Sequence, residues 1–154
     1  MARVSLVQTT QGPRNFYNVD GTVGPGGLNR RDDVLLVQYF LNAAFDSSVF
    51  SDSQPPDGDL DIDGRPGPKT FSAILHFQTV MRKKGHAIAT DGRVDPPTGE
   101  EIRGSISNTQ YTIIYLNLAY AFDRPDDWPA VSEASDCPAE LKTLLKEPKF
   151  AGEK

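Results

Sequence analysis

The stretch Asp57–Phe71, "DGDLDIDGRPGPKTF", sets Asp59, Asp61 and Asp63 ahead of Gly64 in the D-x-D-x-D-G rhythm of a calcium loop. Carboxylates at alternate positions supply hard oxygen ligands. Such a loop is completed by a bidentate Glu at its twelfth position, and counting from Asp59 that position is Thr70. Asp59, Asp61 and Asp63 therefore stand as calcium candidates against a solvated acidic loop. Zinc hydrolysis needs three protein ligands and a water, whereas the chain has only His76 and His86 and no H-E-x-x-H spacing. His76 lies on a well-marked helix beside Phe77 and reads as a packing or helix-surface residue, and His86, after Gly85, reads as solvent-facing. Cys137 precedes Pro138 at an expected helix start, where the dipole could lower its pKa, but no sequence neighbour supplies a base. Glu100 and Glu101 are better used as helix caps than as a glycosidase pair, and no G-x-S-x-G elbow is present. The loop Gly24–Gly27 lacks the Lys-Ser/Thr pair of a phosphate cradle and reads as a plain turn. The expectation is a chain that is not an enzyme and uses no cofactor.

The elements that must position these residues are mainly helical. In "NRRDDVLLVQYFLNAAF", Val34, Val37, Leu41, Ala44 and Phe45 recur at helical spacing, with Asn29 as N-cap and Asp32 and Asp33 at the positive helix end. An amphipathic helix is expected there. The region Asp46 to Gly67 is polar and turn-rich, hence a long loop. A second helix has every local signal: Pro68 at its first position, Phe71, Ile74, Leu75, Phe77 and Met81 along it, Arg82, Lys83 and Lys84 in the last turn, and Gly85 as the stop. A capping-box pattern at Thr98 and Glu101 predicts a short third helix ending near Gly104. In "SNTQYTIIYLNLAYAF", helical spacing puts Tyr111, Ile114, Leu118, Ala121 and Phe122 on one face, while β-branched and aromatic content leaves a strand open. Pro138, Leu141, Leu144 and Leu145 predict a last short helix, closed by Pro148.

The division expected is residues 1–28 as an N-terminal arm of short strands or turns, 29–124 as a helical domain, and 125–154 as an extension with a short helix. The fold class expected is a mainly α, compact helical bundle with long loops and an extended N-terminal arm. At 154 residues the chain can bury a sizeable core without staples, roughly 70% of its unfolded surface. One cysteine excludes an internal disulfide and points to a reducing compartment. A formal charge of -5 without a dense basic stripe argues against nucleic acid as a partner. No run approaches the roughly 18 apolar residues of a membrane span, and the start carries no signal-peptide pattern, so no membrane insertion is expected. Synthesis in the cytoplasm is expected, and any work outside the cell would need a non-classical route of delivery.

Two octets stand 28 residues apart: "DGRPGPKT" from Asp63 and "DGRVDPPT" from Asp91, identical at five of eight positions. Asp-Gly makes a turn, Pro fixes φ for a first helical turn and Thr can cap, so the chain turns the same corner twice. The order "DDVLLVQYFLNAAF", "DGRPGPKTFSAILHFQ", "TDGRVDPPTGEEI" resembles the peptidoglycan-binding-like domain, a compact three-helix module of cell-wall hydrolases and related envelope proteins. The resemblance covers roughly Asn29 to Ile106. It departs from the family in a longer insertion before the first octet, and in Asp95 where the family usually has Gly. Because Asp91 and Gly92 turn without a preceding Asp-x-Asp, the repeat also explains Asp63 and Gly64, and a calcium reading must then rest on Asp57, Asp59 and Asp61.

What the resemblance implies is a module that binds peptidoglycan or a muropeptide. Acetylated sugars and peptide carboxylates ask for polar groups, a cation and an aromatic wall. Asp63, Arg65, Lys69 and Thr70 at the first corner and Arg93 at the second are the candidates for the polar part. Tyr39, Phe40, Tyr111 and Tyr115 lie on helices, where aromatics are usually core, whereas Trp128 in "RPDDWP" sits in a loop as a sugar-stacking wall or a lid over the bundle. The alternative is a protein-docking adaptor on the same scaffold, with a protein partner in a secretion apparatus, phage particle or toxin complex.

Overall fold

A computed structural model describes residues 2–9, 12–97, 111–146 and 149–150. Strands β1 (Arg3–Thr9) and β2 (Gly12–Asn18) pair antiparallel from Arg3 opposite Asn18 to Thr9 opposite Gly12. A two-residue strand β3 (Lys149–Phe150) lies parallel to β1, giving the order β2-β1-β3. Helices α1 (Arg31–Phe45), α2 (Pro68–Lys83), α3 (Thr112–Asp123) and α4 (Ala139–Leu144) make the protein mainly α. The short helix expected at Thr98 lies outside the described residues.

α1 is not the one-sided helix its spacing predicts. Val34, Leu36, Val37, Phe40 and Leu41 are all fully buried, and α2, α3 and α4 all contact α1. A helix that is apolar nearly all round belongs at the centre, where each face finds a cover. Its expected cap is also corrected. Arg30 precedes the first turn, while Asn29 has a φ of 50° and turns its amide back on the glycine loop. Asn29 Oδ1 accepts from Gly24 N at 2.8 Å, and Nδ2 donates to Gly24 O and Gly27 O at 3.0 Å. Asn tolerates this left-handed backbone because its short side chain can bond locally.

α2 begins at Pro68 and ends in two crossed hydrogen bonds, His86 N to Met81 O at 3.1 Å and Gly85 N to Arg82 O at 3.0 Å. Gly85, at a φ of 98°, makes this left-handed close possible. α3 is a helix despite its β-branched start, and the face it buries differs from the one expected. Ile113, Leu116 and Tyr120 point inward, while Leu118 and Phe122 are 58% and 77% exposed. The hairpin decides this: Asn117 Oδ1 accepts from Tyr17 N at 2.8 Å and its Nδ2 donates to Tyr17 O at 2.7 Å, so α3 is rolled towards β2.

The long loop after α1 is tied down rather than free. A 3-10 turn, Ser48–Phe50, inserts Phe50 against Phe45 at 5.3 Å and parallel to Phe77 at 5.5 Å. Asn42 holds Leu60 through both its amide groups, at 2.8 and 3.0 Å. One hydrophobic core runs from Ala2 to Leu145 and includes Val4, Phe16 and Tyr17 of the hairpin. Truncating a side chain as deeply buried as Phe50 costs about 3–5 kcal/mol. Phe50→Ala is therefore expected to lower the melting temperature and make the loop after α1 susceptible to limited proteolysis; an unchanged melting curve would show that the loop is not anchored there.

Candidate functional site

The two octets are held by the same device. At the first corner Gln38, fully buried on α1, accepts from Asp63 N at 3.1 Å and Gly64 N at 2.9 Å through Oε1. Its Nε2 donates to Asp63 Oδ1, Arg65 O and Thr70 Oγ1 at 3.1–3.2 Å. At the second corner Gln78 on α2 accepts from Gly92 N at 2.8 Å and donates to Asp91 Oδ1, Arg93 O and Thr112 Oγ1 at 2.9–3.1 Å. In both, the Asp carboxylate also receives the amide two residues on, Arg65 N or Arg93 N, at 2.9 Å. An Nε2 has two hydrogens, so three acceptors share them.

This geometry corrects the sequence alignment of the corners. The hydroxyl that answers to Thr70 is Thr112, at the start of α3; Thr98 lies outside the described residues. The relay is therefore Gln of one helix, Asp-Gly-Arg turn, Thr of the next helix, and it links α1 to α2 and α2 to α3. Gln38 and Gln78 are not among the candidate site residues, and Gln78 enters only as the end of the motif "DGRPGPKTFSAILHFQ". Their signal is a carboxamide within the apolar runs "LLVQYFL" and "ILHFQTV", where a buried polar group must find partners.

Gly64 has a φ of 72°, and a Cβ built there would stand 2.8 Å from Arg31 Cγ. Arg31 crosses the corner, donating to Asp63 O at 2.8 Å and forking onto Glu140 of α4 at 2.7 and 3.1 Å. The second corner is braced instead by the segment after β2. Val23 and Val94 exchange backbone bonds of 3.0 and 2.7 Å, and Thr22 Oγ1 donates to Asp95 Oδ1 at 2.6 Å. Asp95 thus has a partner in the N-terminal segment.

The candidate binding residues separate into two groups. Thr70 is buried and is spent on Gln38, and one oxygen of Asp63, Oδ1, is occupied by Arg65 N and Gln38. Arg93 is half-buried, lies 3.8 Å from Asp95 and keeps its Nε buried without a hydrogen-bond partner. Arg65 and Lys69 are exposed, with no side-chain hydrogen bond or ion pair among the described residues. Trp128 is a lid: its ring packs edge-on against Tyr17 at 5.5 Å and lies 6.2 Å from Tyr120. Those rings also pack on Phe40, which is about 200° around α1 from Gln38, so Trp128 and the first corner occupy opposite sides of that helix.

Asp59, Asp61 and Asp63 are not gathered into a cation site; among the described residues no three His, Cys, Asp or Glu side chains are placed to hold a metal. His76 packs near Phe45 and meets Ser53 O at 2.6 Å, and the exposed His86 lies 5.2 Å from the Tyr115 ring. For Cys137 the expected lowering is reversed: burial pushes the thiol up to about 11. Compared with protein-family models, curated proteins and solved structures, the chain matches none of them.

Three carboxylates show how burial and hydrogen bonds compete. Backbone bonding, chiefly from Arg65 N, holds Asp63 below the usual carboxylate range, with Gln38 adding to it. Burial works against ionisation of Asp136, but the Tyr39 hydroxyl at 2.6 Å and Arg124 at 2.8 Å outweigh it and its pKa is lowered. Asp33 goes the other way: burial raises it, although Asp20 N and Gly21 N donate to it at 3.0 Å.

Removing one partner from buried polar groups costs about 1–3 kcal/mol for each group left unpaired. Gln78→Leu strands Gly92 N and Thr112 Oγ1, so it is expected to destabilise the protein by at least about 2 kcal/mol, read from urea unfolding. Thr112→Val should cost less; equal losses would show that the amide acts only through the hydroxyl. For the depressed Asp136, the stabilisation is present above the unfolded pKa of about 3.9 and is lost as pH falls through the folded value. Asp136→Asn should therefore lower the melting temperature at neutral pH and flatten its decline below about pH 4. Native Cys137 should react with a thiol reagent at pH 8 far more slowly than the unfolded chain; comparable rates would contradict its burial.

Proposed function

We propose that the protein is a non-catalytic peptidoglycan-binding module of the peptidoglycan-binding-like bundle type, used for targeting or anchoring, with the first corner as its recognition surface. The observation that carries this reading is the division of labour at residues 63–70. Gln38, Asp63, Gly64 and Thr70 build the corner from inside, while Arg65 and Lys69 leave it as unpaired, solvent-facing cations. A muropeptide stem presents carboxylates, and Arg binds them as a planar fork and Lys as a point charge. The doubled Asp-Gly-Arg corner and the three helices linked by its glutamines support the bundle assignment. Arg93 is turned to Asp95 and serves the scaffold rather than the ligand.

The test is co-sedimentation with purified sacculi. The chain is expected in the pellet at moderate salt, with no soluble muropeptide fragments released. Arg65→Ala combined with Lys69→Ala should reduce retention several-fold while moving stability by less than about 0.5 kcal/mol per site, as exposed substitutions usually do. Wild-type protein left entirely in the supernatant would defeat the binding reading, and released fragments would defeat the non-catalytic one. Full retention by a folded double variant would move the recognition surface away from this corner.

A further inference from the structure

Among the four α-helices, α2 alone carries no carboxylate, in a chain whose formal charge is -5. Its buried residues, from Val80 through Phe77 and Met81 round to Gln78, occupy one side of the helix. At about 100° per residue, Lys69, Ser72, His76, Thr79 and Lys83 fall within about 80° of one another on the other side. Lys69 and Lys83 are exposed, and the three residues between them are half-buried. The two lysines differ by about 40° around the axis and stand about 21 Å apart along it. Neither forms an ion pair among the described residues. Lys69 lies in the first turn, where the helix dipole disfavours a cation, so the helix itself gains nothing from its charge. Arg65 stands at the same end, because its carbonyl and the Thr70 hydroxyl share Gln38 Nε2. His76 meets Ser53 O at 2.6 Å, so the loop after α1 borders this face, and Thr79 Oγ1 donates to Leu75 O at 2.7 Å, which leaves its lone pairs able to accept.

We infer that the solvent face of α2 is a track for a glycan strand bearing several peptide stems, a step that rests on the sacculus-binding reading and carries it from a single muropeptide to the polymer. Carboxylates of one stem meet Arg65 and Lys69 at the first corner, and a carboxylate of another stem on the same strand meets Lys83. The occupant follows from charge: the helix presents unpaired cations at both ends and no acid of its own. Cations so far apart are served by a ligand that repeats its carboxylates along its length. Each exposed lysine–carboxylate contact is weak by itself. Once one stem is held, however, the next contact is intramolecular and is made at a high effective concentration. Ser72 and Thr79 place hydroxyls between the two cationic ends, along the path of the sugars. Arg82, at the far end, is already turned to Ile88 O at 3.5 Å and flanks the track.

The test compares two ligands by calorimetry with the full chain: monomeric disaccharide-peptides, and soluble glycan strands freed from the same sacculi by cutting their cross-links and still carrying their stems. The sacculi are first stripped of any covalently attached anionic polymer, so that stem carboxylates are the anions left. Wild-type protein is expected to bind strands about tenfold or more tighter than monomers, counted per stem. Lys83→Glu should remove that gain and leave the affinity for monomers as it was, whereas Arg65→Ala with Lys69→Ala should weaken both. Equal affinity of the wild type for strands and monomers overturns the inference and leaves sacculus binding standing, as does a gain that survives Lys83→Glu. A gain that disappears on stripping assigns the anion to the attached polymer and overturns it equally. Binding to neither ligand defeats the sacculus-binding reading and the track with it. Lys83 also suits the negative end of α2, so should Lys83→Glu fail to fold, Lys83→Met, which keeps a long stem without the charge, decides by the same comparison.

Discussion

Side-chain carboxamides that reach from helices and close on the backbone of a neighbouring segment are the interaction on which this structure depends. Gln38 and Gln78 do this for the two corners, Asn42 for Leu60, Asn117 for Tyr17 and Asn29 for the glycine loop. A carboxamide offers a donor and an acceptor together, so it can stand in for a strand partner where no strand is available. Loops rich in Gly, Pro and Asp cannot satisfy their own backbone in regular structure. Buried near an apolar helix without these amides, their N–H and C=O groups would each carry a desolvation cost.

The same device explains why the polar residues of the repeated corner divide as they do. Groups facing the glutamine are consumed by it, which removes Thr70 and one oxygen of Asp63 from any ligand-binding role. Side chains that leave the turn on the other side remain available, and at the first corner those are Arg65 and Lys69. The second corner is symmetrical in its interior but not on its surface. There the segment after β2 packs so closely that a Cβ at Gly24 would stand 2.6 Å from Gly92 O, and Asp95 answers Thr22. The two copies of one motif have therefore diverged, one braced by an arginine from α1 and the other by a strand-like segment.

What was legible in the sequence follows from the range of the forces involved. α2 was readable end to end because its start and stop are local: a Pro that cannot donate, a basic last turn and a Gly at positive φ. The repeated turn was readable for the same reason. The buried face of α3 was not, because a bond from Asn117 to Tyr17, 100 residues away, sets its rotation and outvotes the apolar count. Asn29 looked like a cap by type and position, yet the glycine loop offered its amide three partners. Cys137 had the position for a lowered pKa, but Val131, Ala134 and Leu141 are packed into the same core and exclude the water that would stabilise a thiolate. The free cations of the first corner were visible from sequence as candidates; that Thr70 was not among them required Gln38.

The pairing of β1 with β3 joins Ser5 to Lys149 and Leu6 to Phe150, across nearly the whole chain. Arg31 likewise waits for Glu140, and Tyr17 for Pro129. During synthesis the hairpin must therefore stand with one edge of β1 open until β3 arrives. Contacts so distant in sequence have their loop-closure entropy to overcome before they contribute, which slows folding. For a nascent chain this is an interval in which an unpaired strand edge is offered to any other strand nearby, and β3 then covers that edge at Ser5 and Leu6.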